Sequence, residues 1–597
     1  MSILTRPPVA TPPEEAPASK KRTFTVWGLK REVPALVLIL VLTVLVIVPV
    51  AFVVLAAFST AVPRPGNPET GSFTLGNLTL LTTTDGLSAL LNSLLIGLGS
   101  SVLALFFGAT LAFICSRTDA PWRRFIFIIG MAPMFVPALV GALAWSLLAS
   151  PSAGFVNIML RDLGIPVTIN IYSLAGLIFV LGLFYAPYVF LLVHSSLSLM
   201  NADLEEASTV HGAPLKTMFR TVTLPLALPS LIGSGILVFA LTMENFPVAA
   251  VLGNPAGVNT LPTYIYRLMS SSPPEANKAA SIAVLLTIAL LAVTLWQQRI
   301  VNKRKFTTMT GKGNKPRQIP LRKLRWPATI FALVYFAVSV LGPVLALLIA
   351  AMQDSPYVSS LSQLVGTLSF DRLGQVAGTA DFQLSLRNSV LVAVIAAVAG
   401  TALSFVVSYI RYRTTSRLGQ IMEVIAMAPL AIPSIVLGMG ILWTWLTLPL
   451  PVYGTLAILG IACMAVFLPQ GYRSISSSML QLDRDLEDSA VMLGANRTRA
   501  VFSVTVPLMR VGITSTVLLY LMLSMRELSA SLFLFTSETR ILSILVFDNF
   551  DNGQTTGAAA ISVFYVLVIA ILAIAAQLVG SRDSSKKKKS APTKNVL

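Results

Sequence analysis

Charged residues, cysteine and histidine are all scarce in this sequence of 597 residues. Only 11% of the residues are charged, against about 25% in ordinary soluble domains, whereas 55% are hydrophobic. This composition excludes a soluble cytosolic enzyme. Both cysteines, Cys115 and Cys463, lie inside apolar runs, so they predict neither a disulfide framework nor a Cys-x-x-Cys metal site. The two histidines, His194 and His211, are predicted at a membrane interface and on a loop surface, and we predict no metal site.

The phosphate-binding loop of ATP-hydrolysing proteins is also missing. No segment fits the pattern G-x-x-x-x-G-K-[ST]; the Gly311-Lys312 pair has Phe306 at the position of the first glycine. The chain is therefore predicted to be a non-enzymatic subunit that binds no cofactor of its own. Any ATP hydrolysis has to occur in a separate chain.

Long apolar runs dominate the sequence instead. A run of about 20 apolar residues predicts a membrane-spanning helix, because a helix satisfies its own backbone hydrogen bonds in lipid. The first run follows a proline-rich polar tail, so we expect a retained helix and not a signal peptide. Twelve such runs occur, near residues 34 to 58, 89 to 116, 124 to 149, 172 to 199, 226 to 252, 279 to 299, 327 to 352, 387 to 410, 419 to 446, 453 to 475, 509 to 536 and 557 to 580. The sequence thus predicts an all-α integral membrane protein.

The basic residues fall in short clusters between these runs. Lys and Arg number 43 against 25 Asp and Glu, and the clusters around Lys20, Arg117, Lys303 and Lys586 all fall on one side of a twelve-span topology. Because Lys and Arg favour the cytoplasmic side of a membrane, both termini are predicted to be cytoplasmic. The clusters are interpreted as topology signals and contacts with the lipid bilayer, not as a nucleic-acid site.

The chain contains an internal repeat. Residues 203 to 225 read DLEEASTVHGAPLKTMFRTVTLP and residues 485 to 507 read DLEDSAVMLGANRTRAVFSVTVP, which align without gaps at an offset of 282. Nearer the start of each half the offset is 296, where the sequence MAP at 131 to 133 matches MAP at 427 to 429. Each half has six spans, so the sequence predicts two parallel six-helix repeats related by an axis along the membrane normal.

The predicted organisation has five parts. The two repeats are joined by a basic linker and flanked by basic tails. The predicted bounds are a disordered cytoplasmic tail at 1–33, repeat 1 at 34–299, a cytoplasmic linker at 300–326, repeat 2 at 327–580 and a cytoplasmic tail at 581–597.

The matched segments lie between the fourth and fifth spans of each half, on the basic side. We call residues 203 to 225 docking loop 1 and residues 485 to 507 docking loop 2. Asp203 and Asp485 are predicted to be helix N-caps, and the glycines that follow permit a tight turn into a second helix. That helix is predicted to stop or bend near Pro225 and Pro507, because proline lacks the amide donor.

The spacing resembles the EAA loop of ABC-importer permeases, which reads Glu-Ala-Ala, three residues, Gly, nine residues, Ile-x-Leu-Pro. The matching residues are Glu206, Ala207, Ser208, Gly212, Val222, Leu224 and Pro225 in loop 1, and Asp488, Ser489, Ala490, Gly494, Val504, Val506 and Pro507 in loop 2. Ala213 and Ala495, which follow the glycines, match each other between the two copies. The resemblance implies the type I ABC-importer permease fold in a bacterial inner membrane. It also implies two ATP-binding subunits, expected as a homodimer, that dock on these loops. An extracytoplasmic substrate-binding protein is implied on the other side, near residues 59 to 88, 150 to 171, 253 to 278 and 353 to 386.

Three charged residues lie inside predicted spans, where charge is costly and indicates function. Glu244 lies 19 residues after Pro225, and Arg526 and Glu527 lie 19 and 20 residues after Pro507. At 1.5 Å per residue all three lie roughly 30 Å along their helices. Two interpretations remain open: a gate or transient site for a charged solute in a translocation path, or an interhelical Glu–Arg pair that only fixes packing.

The cargo is predicted from a second resemblance. The fusion of both halves, with MENFPVAAVLG at 243 to 253 and MRELSASLFL at 525 to 534, resembles the ferric-iron group of ABC permeases, which implies ferric iron as cargo. Related groups carry thiamine, polyamines or aminophosphonates, and these stay as alternatives. Glu244 and Glu527 would be oxygen contacts for a hard cation. Arg526 argues against a bare cation, unless the ion travels with an anion or Arg526 pairs with Glu244.

A secondary transporter with twelve spans in two parallel halves is the alternative from a different class. It would need no ATPase.

Overall fold

The computed structural model describes residues 26–62, 71–200, 202–303, 318–353, 355 and 360–589. Within these ranges the regular structure is helical, apart from two isolated β-bridges. In the described part of the chain, the helices long and apolar enough to cross a membrane number nine, or twelve if each of three bent pairs counts as one span. The prediction of an all-helical membrane protein with twelve spans is therefore confirmed.

The spans keep the predicted order. The nine unbroken spans, with short π-helical or 3-10 segments inside some of them, are Glu32–Ala57, Thr84–Arg117, Leu174–Leu199, Phe219–Met243, Ala276–Ile300, Arg322–Ala351, Ala380–Arg413, Leu456–Leu480 and Thr555–Ala575. The third, ninth and eleventh spans are the bent pairs Arg123–Phe135 with Ala138–Ala149, Gly419–Ala431 with Ser434–Thr447, and Arg497–Leu508 with Arg510–Met525. Shorter helices on the face opposite the docking loops include Phe155–Asp162, Leu261–Ser270, Leu361–Gly366, Asp371–Gly378 and Leu542–Asp551.

The third and ninth spans are broken, whereas the sequence predicted continuous helices. Their two halves meet at 95° and 116°. The break falls at Val136 and Ile432, which have extended backbone angles. Each precedes a proline, Pro137 or Pro433, and the proline ring disfavours the helical conformation in the residue before it. The MAP motifs lie immediately before these breaks.

The fifth and eleventh spans end earlier than predicted. Their helices stop at Met243 and Met525, not near residues 252 and 536, and the following apolar residues form only short helical segments such as Phe246–Val248 and Ser531–Phe533. The predicted bend occurs in the eleventh span, by 74° just after Pro507. In the fifth span the π-helical turn Phe219–Thr223 precedes Pro225 and the helix continues.

The ends of the chain differ in part from the predicted tails. Residues 1–25, 304–317 and 590–597, which include most of the predicted N-terminal tail and about half of the predicted linker, lie outside the described residues. Where the chain is described, helix Val26–Leu42 begins within the predicted tail, and helix Thr555–Lys589 continues past residue 580.

The two halves interlock through their first spans. Helix Val48–Ala57 of repeat 1 packs on Ser434–Thr447 of repeat 2, and Gly342–Ala351 of repeat 2 packs on Ala138–Ala149 of repeat 1. The approach is close at Gly440, where a Cβ would lie 2.4 Å from the carbonyl oxygen of Pro49. One apolar core therefore runs through both halves.

Candidate functional site

Both docking loops fold as two short helices joined by a turn. Loop 1 contains Ala202–Val210 and Leu215–Met218, and loop 2 contains Asp485–Met492 and Arg497–Ala500. Asp203 and Asp485 were predicted to be N-caps, but helix Ala202–Val210 already includes Asp203, and Asp485 is the first helical residue after the cap Arg484. Both acids lie in the first helical turn, where negative charge is also favourable.

The glycines make the turn that the sequence predicted. Gly212 and Gly494 have φ values of +76° and +95°, a left-handed conformation that disfavours other residues. The next amides, of Ala213 and Ala495, each donate to a helix carbonyl five residues back, at 3.1 Å. This pattern closes the C-terminus of a helix around a glycine. No atom would lie within 4 Å of a Cβ added at either glycine, so the backbone angle alone demands glycine.

The tips of the two loops are exposed. Glu206 and Ala207 are exposed, while Asp488 and Ala490 are half-buried. Beside them Val210, Met492 and Leu493 are 85%, 88% and 89% exposed. These three are the most exposed of the large apolar side chains whose burial the structure describes.

A buried acid anchors docking loop 1 to the membrane helices. Glu205 accepts a hydrogen bond at 2.8 Å from the Thr223 hydroxyl, just before the first turn of the helix that follows. Its other oxygen lies 3.4 Å from the Arg117 guanidinium, and both side chains are fully buried. Arg117 ends the second span, so this ion pair ties the loop to two spans at once.

Arg117 also contacts the segment that joins the two halves. Its carbonyl accepts a hydrogen bond from the Ile319 amide at 2.7 Å, and Asp119 accepts from the Leu321 amide at 2.8 Å. Asp119 also lies 3.4 Å from the Arg325 guanidinium. The end of the linker is thereby held against the corner that anchors docking loop 1.

Docking loop 2 keeps the acid but changes its partners. Glu487, which matches Glu205, accepts a hydrogen bond from Thr505 at 2.8 Å and from the Tyr409 hydroxyl at 2.5 Å. Its cationic partner is Arg497 at 3.3 Å, a loop residue with 58% of its side chain exposed. Arg413, which matches Arg117, instead donates to the carbonyl of Leu482 at 2.8 Å.

A cavity of about 270 Å³ lies between the two halves. Its wall includes Pro133 and Pro429 from the broken spans, and Glu244, Arg526 and Glu527. All three charged residues predicted for the translocation path thus line one cavity. Glu244 and Arg526 occupy matched positions of the two repeats, at the offset of 282, and each directly follows the last residue of its helix.

The two charges do not form the packing pair that the sequence left open. Among the described residues no ion pair within 4.0 Å includes Glu244 or Arg526. Arg526 instead donates to the Val136 carbonyl at 3.4 Å, an oxygen left without a helical partner by the break at Pro137. Its Nε is buried without a hydrogen-bond partner.

Glu527 differs from Glu244 in its surroundings. One of its carboxylate oxygens accepts a hydrogen bond from the Ala530 amide at 2.8 Å. The matched residue, Asn245, accepts from the Val248 amide at 3.0 Å in the same way. Glu527 therefore has a structural role, because one of its carboxylate oxygens caps a turn. The other oxygen takes no part in this cap.

Sequence reasoning missed several of these residues. Glu205, Glu487, Thr223 and Thr505 keep the same spacing of 18 residues in both loops, and this repeated acid was the available signal. Tyr185 and Tyr188, which line the cavity, gave no signal because aromatic residues are common in spans.

The geometry is typical of one class of protein, a membrane transport subunit: it has two interlocked repeats, a cavity between them, and a matched pair of loops with exposed tips. Residues 100–307 and 400–583 match the family described as binding-protein-dependent transport system inner membrane component. The chain belongs to this family and is a permease subunit of an ABC importer. This membership replaces the secondary-transporter alternative.

Curated relatives extend the similarity over most of the chain. The ferric transport system permease protein FbpB of Actinobacillus pleuropneumoniae is 23% identical over 485 residues, which cover 80% of this chain and 68% of that protein. The putative ferric transport system permease protein FbpB 1 of Haemophilus influenzae is 24% identical, covering 75% and 70%. The galactooligosaccharides transport system permease protein GanP of Bacillus subtilis is 31% identical over 216 residues, covering 34% and 51%.

Proposed function

We propose that this chain is the membrane subunit of an importer driven by two separate ATP-binding subunits, one docked on each loop from the cytoplasm. The observation that carries the proposal is that both loops present an exposed tip on a helix whose buried acid is fixed to the membrane helices. Movement of a docked subunit would therefore pull on the fifth and eleventh spans. Those spans end at Glu244 and Arg526 in the central cavity.

The proposed cargo is ferric iron, delivered by an extracytoplasmic binding protein to the face opposite the docking loops. The names of the two FbpB relatives support this cargo, as does the carboxylate of Glu244 in the cavity, because carboxylates suit hard cations. A zwitterionic aminophosphonate is the second candidate. Arg526 favours it, because a guanidinium binds phosphonate-type oxyanions well.

The direct test is ATPase activity of the permease reconstituted with its co-purifying ATP-binding subunits. Binding proteins loaded with ferric ion, thiamine, a polyamine or 2-aminoethylphosphonate would be added in turn. We expect stimulation by the ferric-loaded protein alone. If no ATP-binding subunit co-purified, the result would contradict the proposed machinery. If a binding protein loaded with another solute stimulated the ATPase activity, that solute would take the place of ferric iron as the proposed cargo.

Cross-linking tests the docking positions separately. Both native cysteines are buried, so the single variants Glu206→Cys and Asp488→Cys add one reactive thiol each. We expect each to cross-link to an ATP-binding subunit with a short reagent. Arg267→Cys, at an exposed position on the opposite face, is the matched control and should not cross-link to it.

A further inference from the structure

The wall of the central cavity is chemically different on its two sides, although the positions match. Repeat 1 contributes Tyr185, Tyr188 and Glu244. At the matched positions, offset by 282, repeat 2 contributes Phe467, Gln470 and Arg526. One side therefore offers phenol and carboxylate oxygens, and the other a guanidinium and an amide beside the carboxylate of Glu527, one oxygen of which caps a turn. We call these the oxygen side and the guanidinium side.

The oxygen side has groups available to a solute. Glu244 is partly accessible and, within the described chain, makes no ion pair and no side-chain hydrogen bond. The same part of the chain holds no hydrogen-bond partner for the Tyr188 hydroxyl. Tyr185 is committed to the protein, because its hydroxyl donates to the Leu241 carbonyl at 3.1 Å and accepts from Asn245 at 2.9 Å. Glu244 and Tyr188 are thus the free ligands here.

The guanidinium side has unsatisfied polar atoms. Arg526 has a buried Nε without a partner and a single long hydrogen bond, at 3.4 Å to Val136. The Oε1 atom of Gln470 is also buried without a partner. Polar atoms left unsatisfied inside a protein are costly, and both groups line the cavity. A solute with hydrogen-bonding oxygens would satisfy the guanidinium.

A bare hard cation does not suit this set of groups. Such ions take about six oxygen ligands in proteins, whereas the cavity offers the carboxylates of Glu244 and Glu527, and one oxygen of Glu527 caps a turn. No group of three or more His, Cys, Asp and Glu able to hold a metal ion occurs among the described residues. An uncomplexed cation would also face Arg526.

We infer that the cavity binds a cargo carrying both signs of charge: a cationic centre next to Glu244 and Tyr188, and an oxyanion next to Arg526. For the proposed ferric importer, the ion would cross together with a coordinated oxyanion that supplies its missing ligands. The cavity volume of about 270 Å³ is below the usual range of pockets for drug-sized ligands, roughly 300 to 1,000 Å³. A cargo smaller than a drug molecule, such as an ion with one small oxyanion, suits this volume. The identity of the cation rests on the proposed function. The two-sided charge pattern is independent of it.

The test is direct binding to the full chain in lipid nanodiscs by equilibrium dialysis. The first probe is ferric citrate with radioactive iron and radioactive carbon, and the second is labelled 2-aminoethylphosphonate. We expect iron and citrate to bind in equal amounts. Glu244→Gln and Arg526→Gln should each weaken the binding of both labels about tenfold or more, because each removes a charge-assisted contact.

Conservative variants separate charge from folding. Glu244→Asp and Arg526→Lys keep the charges and should retain most of the binding, so a loss confined to the Gln variants cannot be attributed to misfolding. Arg267→Gln, at an exposed position that does not line the cavity, is the matched control for loss of a surface charge and should bind like the unaltered chain. Retention of iron without citrate, or unchanged binding in Arg526→Gln, would overturn the inference.

The binding assay does not depend on ATP-binding subunits, so its outcome is distinguishable from that of the proposed function. Suppose that 2-aminoethylphosphonate binds, that its binding needs both Glu244 and Arg526, and that ferric citrate does not bind. This result would support the two-sided site and would contradict the ferric cargo. Binding of neither probe at millimolar concentration would overturn the inference. ATPase stimulation by ferric-loaded binding protein could still stand in that case.

Discussion

The two docking loops share an outline but are anchored by different residues. In loop 1 the buried Glu205 meets a buried Arg117 from the second span. In loop 2 the buried Glu487 meets Tyr409 from the eighth span and the exposed Arg497 from the loop itself. The acid and its threonine are common to both, so they form the shared attachment. The two loops differ in the cation that faces the acid, which is buried in loop 1 and exposed in loop 2. Loss of a buried cation destabilises a protein far more than loss of an exposed one.

The largest expected effect comes from removing the buried cation. Arg117→Met removes the buried cation that faces the buried Glu205 carboxylate, which should destabilise the protein by about 3 to 5 kcal/mol. The change would appear as a lower unfolding temperature of the purified chain in detergent. Arg413→Met, at the matched position of repeat 2, removes only hydrogen bonds to carbonyls and should cost clearly less.

A double variant sharpens this contrast. Replacing both partners, as Arg117→Met with Glu205→Met, removes both members of the buried ion pair and should recover most of the lost stability. It should still impair ATP-driven uptake, because Thr223 loses its partner. If the double variant were as unstable as Arg117→Met alone, the ion pair would not be the cause.

The next effect concerns the phenol that only loop 2 uses. Tyr409→Phe removes a hydrogen bond to a carboxylate and should cost about 1.5 to 3 kcal/mol, measured as a shift in urea or thermal unfolding. The matched residue in repeat 1 is already Phe113, which lies edge-on to Phe219. Phe113→Leu should leave the anchor of loop 1 intact. If Phe113→Leu destabilised the protein as much as Tyr409→Phe, the result would contradict the proposed asymmetry between the two loops.

The glycine turns should respond equally in the two loops. Gly212→Val and Gly494→Val each force a β-branched residue into a left-handed conformation, at a cost of about 1 to 2 kcal/mol. The double variant should insert in the membrane but lose ATP-driven uptake. Gly212→Asn and Gly494→Asn are the controls, because asparagine tolerates this conformation. Normal uptake by the double valine variant would refute the docking role.

The smallest effect is expected at the exposed cation of loop 2. Arg497→Ala removes ion pairs to the buried Glu487 and the half-exposed Asp488 at 3.3 and 2.6 Å. Solvent screens a guanidinium that is 58% exposed, so we expect a loss of only about 0 to 1 kcal/mol. Unfolding measured at low and high salt should show a small difference that vanishes with salt. A loss as large as that of Arg117→Met would remove the distinction between the two anchors.

Several features of the site were predictable because they depend on local chemistry. Gly212 and Gly494 indicate a turn, because few other residues adopt a positive φ. Pro137 and Pro433 carry the signal for the broken spans, although the apolar runs around them were interpreted as continuous helices. The early ends of the fifth and eleventh spans coincide with Glu244-Asn245 and Arg526-Glu527, but apolar residues buried in the protein core resume after them, so each run was interpreted as one continuous span.

By itself, the sequence determined the helical class, the twelve spans and the duplication, because hydrophobic run length and repeat spacing are local and additive properties. It also brought Glu244 and Arg526 to the same level of the two repeats. Only the tertiary structure decided that these two charges share a cavity without pairing, and that Glu205 meets Arg117 whereas Glu487 meets Tyr409 and Arg497. Those partners depend on how distant helices pack together, and a side chain's neighbours across a bundle are not encoded in its position along the chain.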